Sequence, residues 1–165
     1  MRRNRLLLAA SVVIVGIAAF AWHRARGVVV PDDPDEVTLF STDGRRERNP
    51  LDRDKPTDKE FLYHFPVLGR VSITDPELRR RVVAAVKHDL DDSSDPEGHL
   101  CFFPRHVLRV VKGGRTIDLV ICFQCNSYRV YADGKPASDK SPPVGKSSQD
   151  LLNKILADAG VPLAK

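Results

Sequence analysis

Two hydrophobic periods alternate along this chain, and between them they lay out most of its elements. After Thr74, the apolar positions Leu78, Val82, Ala85, Val86 and Leu90 fall on one stripe of a 3.6-residue period, which predicts an amphipathic helix. Thr74-Asp75-Pro76-Glu77 carries the capping-box pattern: Thr74 is placed to accept from the N3 amide, Glu77 to reach back, and Pro76 sits where a missing N–H is harmless. The opposite side, Arg79, Arg80, Arg81 and Lys87, reads as a solvated face, with Glu77 four residues before Arg81. The acid-rich run DLDDSSDPEG ends the helix and lacks the spaced ligand order of a calcium loop. From Val107 the period becomes two. VLRVVK and RTIDLVICF flank Gly113-Gly114, a two-residue turn that tolerates positive φ, and so predict a β-hairpin. Setting Lys112 opposite Arg115 pairs Val111 with Thr116, Val110 with Ile117, Arg109 with Asp118, Leu108 with Leu119 and His106 with Ile121. One face of the hairpin is then an apolar layer, and the other carries the opposed Arg109 and Asp118.

Around these two anchors the pattern fills in. Phe61 to Ile73 is aromatic and β-branched with a bend at Pro66 and Gly69, Tyr128 to Tyr131 is a further strand, and a Pro/Ser-rich loop leads to a last helix. That helix repeats the capping logic at Ser147 to Asp150, buries a stripe of Leu151, Leu152, Ile155, Leu156 and Ala159, and closes at Gly160 and Pro162. The expected fold is α+β: a two-layer sandwich in which an antiparallel meander sheet carries two helices on one face. Its expected limits are 61–165. Residues 27–60, rich in Asp, Pro, Arg and Lys, read as a polar tether with one short strand at 37–40, and residues 1–26 as a separate targeting segment.

That first segment changes the reading of charge. The chain has 26 basic and 22 acidic side chains, yet Arg2, Arg3, Arg5, Arg24 and Arg26 all lie before residue 27, where there is no acid. The remainder carries 21 basic against 22 acidic residues, so no basic face is left for nucleic acid, which is excluded as a partner. The five arginines flank Leu6 to Trp22, an uncharged run of 17 residues. As a helix it spans roughly 25 Å, at the short end for a hydrocarbon core of about 30 Å. It reads as a signal anchor in the lipid bilayer, N-terminus cytoplasmic and domain extracytoplasmic, the alternative being a signal peptide cleaved after Ala21 and a secreted domain.

The candidate chemistry is concentrated in a short stretch. Cys101, His106, Cys122 and Cys125 have the spacing C-x4-H-x15-C-x2-C and the donor types of a Cys3His zinc site, which needs four ligands converging at about 2.0 to 2.3 Å. The hairpin register argues against it, because it turns Cys122 to one face and His106 and Cys125 to the other, so a bend at Pro104 or within C-x-x-C is required. A disulfide suits an extracytoplasmic domain and is the preferred expectation, with Cys101 joined to Cys125 or Cys122 and one thiol left over; a bulge at Pro104 would set Cys101 opposite Cys125. The third reading is a redox pair of Cys122 and Cys125, although such motifs usually open a helix and this one ends a strand. Arg105 and His106 lack a Ser or carboxylate partner at readable spacing, so no catalytic residue is assigned and the sequence does not argue for an enzyme.

The patterns C-F-x-P-R-H, G-G-R-T-x-D-L-V-I-C-F-x-C and D-A-G-V-P-L together resemble a group of small uncharacterised bacterial proteins with an N-terminal apolar segment. The resemblance covers Val37 to Leu163 and implies a defined domain type, with no activity, cofactor or functional residue to carry over. The expected function is therefore a membrane-anchored binding or structural module without a cofactor, meeting a protein or small-molecule partner. The alternative is a zinc-binding or thiol-redox protein built on the cysteine cluster.

Overall fold

The computed structural model describes residues 28–46, 57–92, 101–138 and 141–164. Seven strands, β1 (Glu36–Thr42), β2 (Phe61–Leu62), β3 (Phe65–Ser72), β4 (His106–Lys112), β5 (Arg115–Cys122), β6 (Ser127–Ala132) and β7 (Lys135–Pro136), form one antiparallel sheet in the order β2-β3-β1-β4-β5-β6-β7. Among the described residues two helices, α1 (Pro76–Asp91) and α2 (Gln149–Asp158), accompany the sheet in an α+β fold. The β4–β5 hairpin has the expected register at every pair from Lys112–Arg115 to His106–Ile121. It turns on Gly113 and Gly114, whose φ of 56° and 76° belong to the left-handed region that glycine enters without steric cost.

The alternation of the strands divides the buried residues into two clusters. Val37, Leu39, Leu108, Val110, Leu119 and Ile121 meet Val82, Val83 and Val86 of α1 and Leu152 and Leu156 of α2, so both helices pack on one sheet face through the stripes predicted for them. The other face is not left to solvent. Phe40, Phe65, Val107 and Val120 form a second buried cluster, flanked by Tyr63, Phe102 and Tyr131. Here the sheet departs from a flat sandwich and curls into a half-barrel. Tyr63, in the β2–β3 turn, stacks on Tyr131 of β6 at 3.6 Å between ring centres, although three strands lie between β3 and β6 in the sheet order. The Tyr63 hydroxyl donates to Asp118 Oδ2 at 2.6 Å, and Arg109 forks onto both Asp118 oxygens at 2.8 and 2.7 Å. Burial, then this hydrogen bond, pushes the Tyr63 phenol up.

Three further expectations shift. The short strand at 37–40 is β1, which lies between β3 and β4 in the middle of the sheet, so the fold takes in residues assigned above to a tether. An isolated apolar island among charges carries no local sign of which strands it will join. Asp75, not Thr74, caps α1: its side chain accepts from the Leu78 amide at 2.6 Å, while Glu77 pairs forward with Arg80 at 2.7 Å. At α2 the cap residue Ser148 makes no side-chain cap bond to its own helix. Instead Asp89 of α1 accepts from the backbone N–H and the hydroxyl of both Ser147 and Ser148, a carboxylate supplied by one helix to the start of the next. Burial alone would push the Asp89 carboxyl up, but these four donors outweigh it and hold it below the usual carboxylate range. Among the described residues no helix is long and apolar enough to cross a membrane; Leu6 to Trp22 lies outside them.

Candidate functional site

The cysteines gather where β4 begins and β5 ends. The segment before β4 is tied to the end of β1: the Thr42 amide donates to the Arg105 carbonyl at 3.0 Å, and the Thr42 hydroxyl to the Pro104 carbonyl at 2.9 Å. The approach is so close that a Cβ on Gly44 would meet the Phe103 carbonyl carbon at 2.3 Å, which requires glycine there. This fastening delivers Cys101 to the β5–β6 turn. In that turn Cys122 and Cys125 are 5.2 Å apart at Cα and are joined by a disulfide, and Asn126 turns the chain with φ of 47°. Cys101, the free thiol, lies with its sulfur 3.0 Å from that of Cys125. The Phe103 amide donates to Cys125 Sγ at 3.4 Å and the Cys125 amide to Cys122 Sγ at 3.1 Å.

The bond present thus differs from the expected pairing of Cys101 with one member of the C-x-x-C. Two residues of turn bring Cys122 and Cys125 into bonding range with little further ordering of the chain, and Cys101 is added as a third sulfur rather than as the partner. His106 does not join them. It pairs with Ile121, whose side chain belongs to the helix-facing cluster, and Cys122, one residue further along, points to the other face. The His106 ring is edge-on to Phe123 at 5.3 Å, and its Nε2 is 2.8 Å from Asn153 Oδ1, in hydrogen-bond contact. Among the described residues, no group of three or more His, Cys, Asp or Glu side chains is arranged to hold a metal ion. Of the four residues read from the spacing as zinc ligands, three sulfurs converge, two of them bonded to each other, and the imidazole faces Asn153.

His106 instead takes part in a cavity of about 360 Å³, lined also by Phe103, Arg105, Phe123, Gln124, Lys146 and Gln149. Its walls come from three places: the strap before β4, the C-x-x-C turn, and the loop into α2. Arg105 reaches the Gln124 amide oxygen at 3.4 Å, and neither Arg105 nor Lys146 forms an ion pair among the described residues. Burial pushes the His106 imidazole down to about 4 against the opposing pull of the Asn153 bond, so it is neutral at pH 7, and its Nδ1 is buried without a partner. The cavity combines two cations unpaired among the described residues, two carboxamides and two phenyl rings, one of them (Phe103) 39% exposed. The sequence brings Arg105 and His106 together as neighbours, but Lys146, in the loop before α2, and Gln149, the first residue of α2, lie some forty residues away and join them only through the fold. The chain matches no family model, no curated protein and no solved structure.

Proposed function

We propose that this chain is a membrane-anchored, extracytoplasmic binding module whose cavity between Arg105 and Lys146 takes a small carboxylate or phosphate ligand with a flat apolar body. The observation that carries the reading is the cavity itself. Two cationic side chains that form no ion pair among the described residues stand beside two phenyl rings in a space of about 360 Å³. That volume is at the lower end of small-molecule sites, which fits a compact ligand better than a peptide. Gln124 and Gln149 supply donors that orient an anionic oxygen, and Phe103 and Phe123 supply apolar contact. The anchoring half of the proposal rests on Leu6 to Trp22 with its flanking arginines, and a disulfide in the domain suits an oxidising compartment.

Benzoate and phenyl phosphate are suitable probes. Added to the isotope-labelled protein at pH 7, either should shift the backbone amide signals of Arg105, Gln124, Lys146 and Gln149. The variant carrying Arg105→Glu and Lys146→Glu should lose at least tenfold in affinity, since each charge-assisted hydrogen bond is worth about 1.5 to 3 kcal/mol. Shifts scattered over the surface, or equal in the variant, would refute the site. For the anchor, a C-terminal reporter that works only outside the cytoplasm should be active on the full chain and silent when residues 6–22 are deleted.

A further inference from the structure

Three sulfurs in one place, with one bond among them, leave a choice of which pair is joined. We propose that Cys101, Cys122 and Cys125 form a thiol–disulfide exchange site, in which the Cys101 thiol displaces Cys122 as the partner of Cys125 and external thiols reach the buried bond through Cys101. The geometry sets the direction. Cys101 Sγ is 3.0 Å from Cys125 Sγ, within contact distance for attack, and Cys125 is already bonded to Cys122. Accessibility distinguishes the three: Cys122 is 1% exposed and Cys125 fully buried, whereas Cys101 is half-buried. A thiol in solution therefore meets Cys101 first. The Cys125 N–H donates to Cys122 Sγ at 3.1 Å, so the sulfur that must leave already has a donor for its negative charge. A better-stabilised leaving thiolate departs faster.

The step balances without any outside oxidant. Cys101 gives its proton to solvent, and its thiolate attacks Cys125 Sγ. The Cys101–Cys125 bond forms as the Cys122–Cys125 bond breaks with its electron pair on Cys122, which then takes up a proton. The oxidation level is unchanged. In the second isomer the half-exposed Cys101 sulfur belongs to the disulfide, where one external thiol can attack it and a second can resolve the mixed disulfide, the two leaving joined to each other. This inference does not depend on the ligand proposed for the cavity.

The test uses the full chain in detergent, quenched in acid, alkylated and mapped by peptide mass under non-reducing conditions. Wild type should show both the Cys122–Cys125 and the Cys101–Cys125 linkage after incubation at pH 8.5, and Cys122→Ser, given oxidised glutathione as the oxidant, should close Cys101–Cys125 in full. Because Cys122 is buried and its replacement could disturb the fold, the second arm is Cys101→Ser, a change at a half-exposed position. It should keep the Cys122–Cys125 bond and slow its reduction by 2-mercaptoethanol at least about tenfold, with far-UV circular dichroism unchanged. Reduction of Cys101→Ser as fast as wild type would overturn the proposal. So would a folded Cys122→Ser protein with two alkylatable thiols under oxidising conditions, or a native mass raised by one zinc ion with three alkylatable thiols.

Discussion

Replacing Asp89 with Asn is the sharpest perturbation the fold offers. The carboxylate is fully buried and accepts four hydrogen bonds: from the Ser147 amide at 2.9 Å and hydroxyl at 2.5 Å, and from the Ser148 amide at 2.8 Å and hydroxyl at 2.5 Å. Asn has nearly the same shape but only one acceptor oxygen. That oxygen can keep the Ser147 pair, while its NH2 group then faces the Ser148 N–H donor to donor. The Ser148 hydroxyl can rotate to accept, but the amide cannot. One buried N–H left unsatisfied costs about 1 to 3 kcal/mol, and loss of the negative charge weakens the bonds that remain by about 1 kcal/mol or more. The sum is about 3 kcal/mol, a large share of the 5 to 15 kcal/mol by which domains are stable, and equivalent to a fall of about 10 °C in Tm. Urea unfolding at pH 7 measures it, with Asp158→Asn as the control: that residue makes only an exposed pair with Lys154, so its loss should stay within about 0.5 kcal/mol. An Asp89→Asn cost below about 1 kcal/mol would refute the claim that this carboxylate joins the two helices. The same bonds predict the acid behaviour. With its folded pKa depressed below the usual value of 3.8, Asp89 contributes its full stability above that pH and loses it as pH falls through the folded value.

Three other outcomes follow from neighbouring geometry. Gly145→Ala should destabilise by about 1 to 3 kcal/mol in the same urea assay, because its Cβ would sit 2.9 Å from Asp89 Oδ1 and 3.1 Å from Asp92 Oδ2, and the Asp89 oxygen is locked by its bonds and cannot retreat. His106 ionises in solution near 6.5 when unfolded but only near 4 when folded, so stability should decline as pH drops from about 6.5 to 4, and urea midpoints of His106→Gln should be flat over that window. Tyr63→Phe removes the hydroxyl that donates to Asp118 while leaving the stack on Tyr131, and should cost about 1.5 kcal/mol by thermal or urea unfolding with the near-ultraviolet aromatic signal largely kept.

What the sequence revealed and what it hid divide by locality. The β4–β5 hairpin was legible in full because Gly113-Gly114 fixes the turn, and a fixed turn fixes every pair, including the ion pair of Arg109 with Asp118. The stripes of α1 and α2 were legible for the same reason, since an apolar period is a local property. The place of β1 was not: Val37 to Phe40 reads as a strand, but only its pairing with β3 and β4, both distant in sequence, makes it central. Nor was the curl of the sheet, which depends on Tyr63 in the β2–β3 turn, a residue with φ of 51° in a position where glycine would have been expected. The caps were misplaced by one residue at Asp75, and α2 is capped by a side chain from α1 that no local motif could announce. At the candidate site, the approach of Cys101 to Cys125 agrees with setting the two opposite each other across the strands. The bond between Cys122 and Cys125 is less legible, because C-x-x-C pairs usually open a helix and this one follows a strand, closing instead across a turn.

The central claim is that Arg105 and Lys146 hold an anion in the cavity, and the most direct measurement is the calorimetric titration of the full chain with benzoate at low and at moderate salt. The account predicts a single saturable site whose affinity falls as salt is raised and is lost in the Arg105→Glu, Lys146→Glu protein. No binding at millimolar benzoate, or binding indifferent to both salt and the charge reversals, would contradict it.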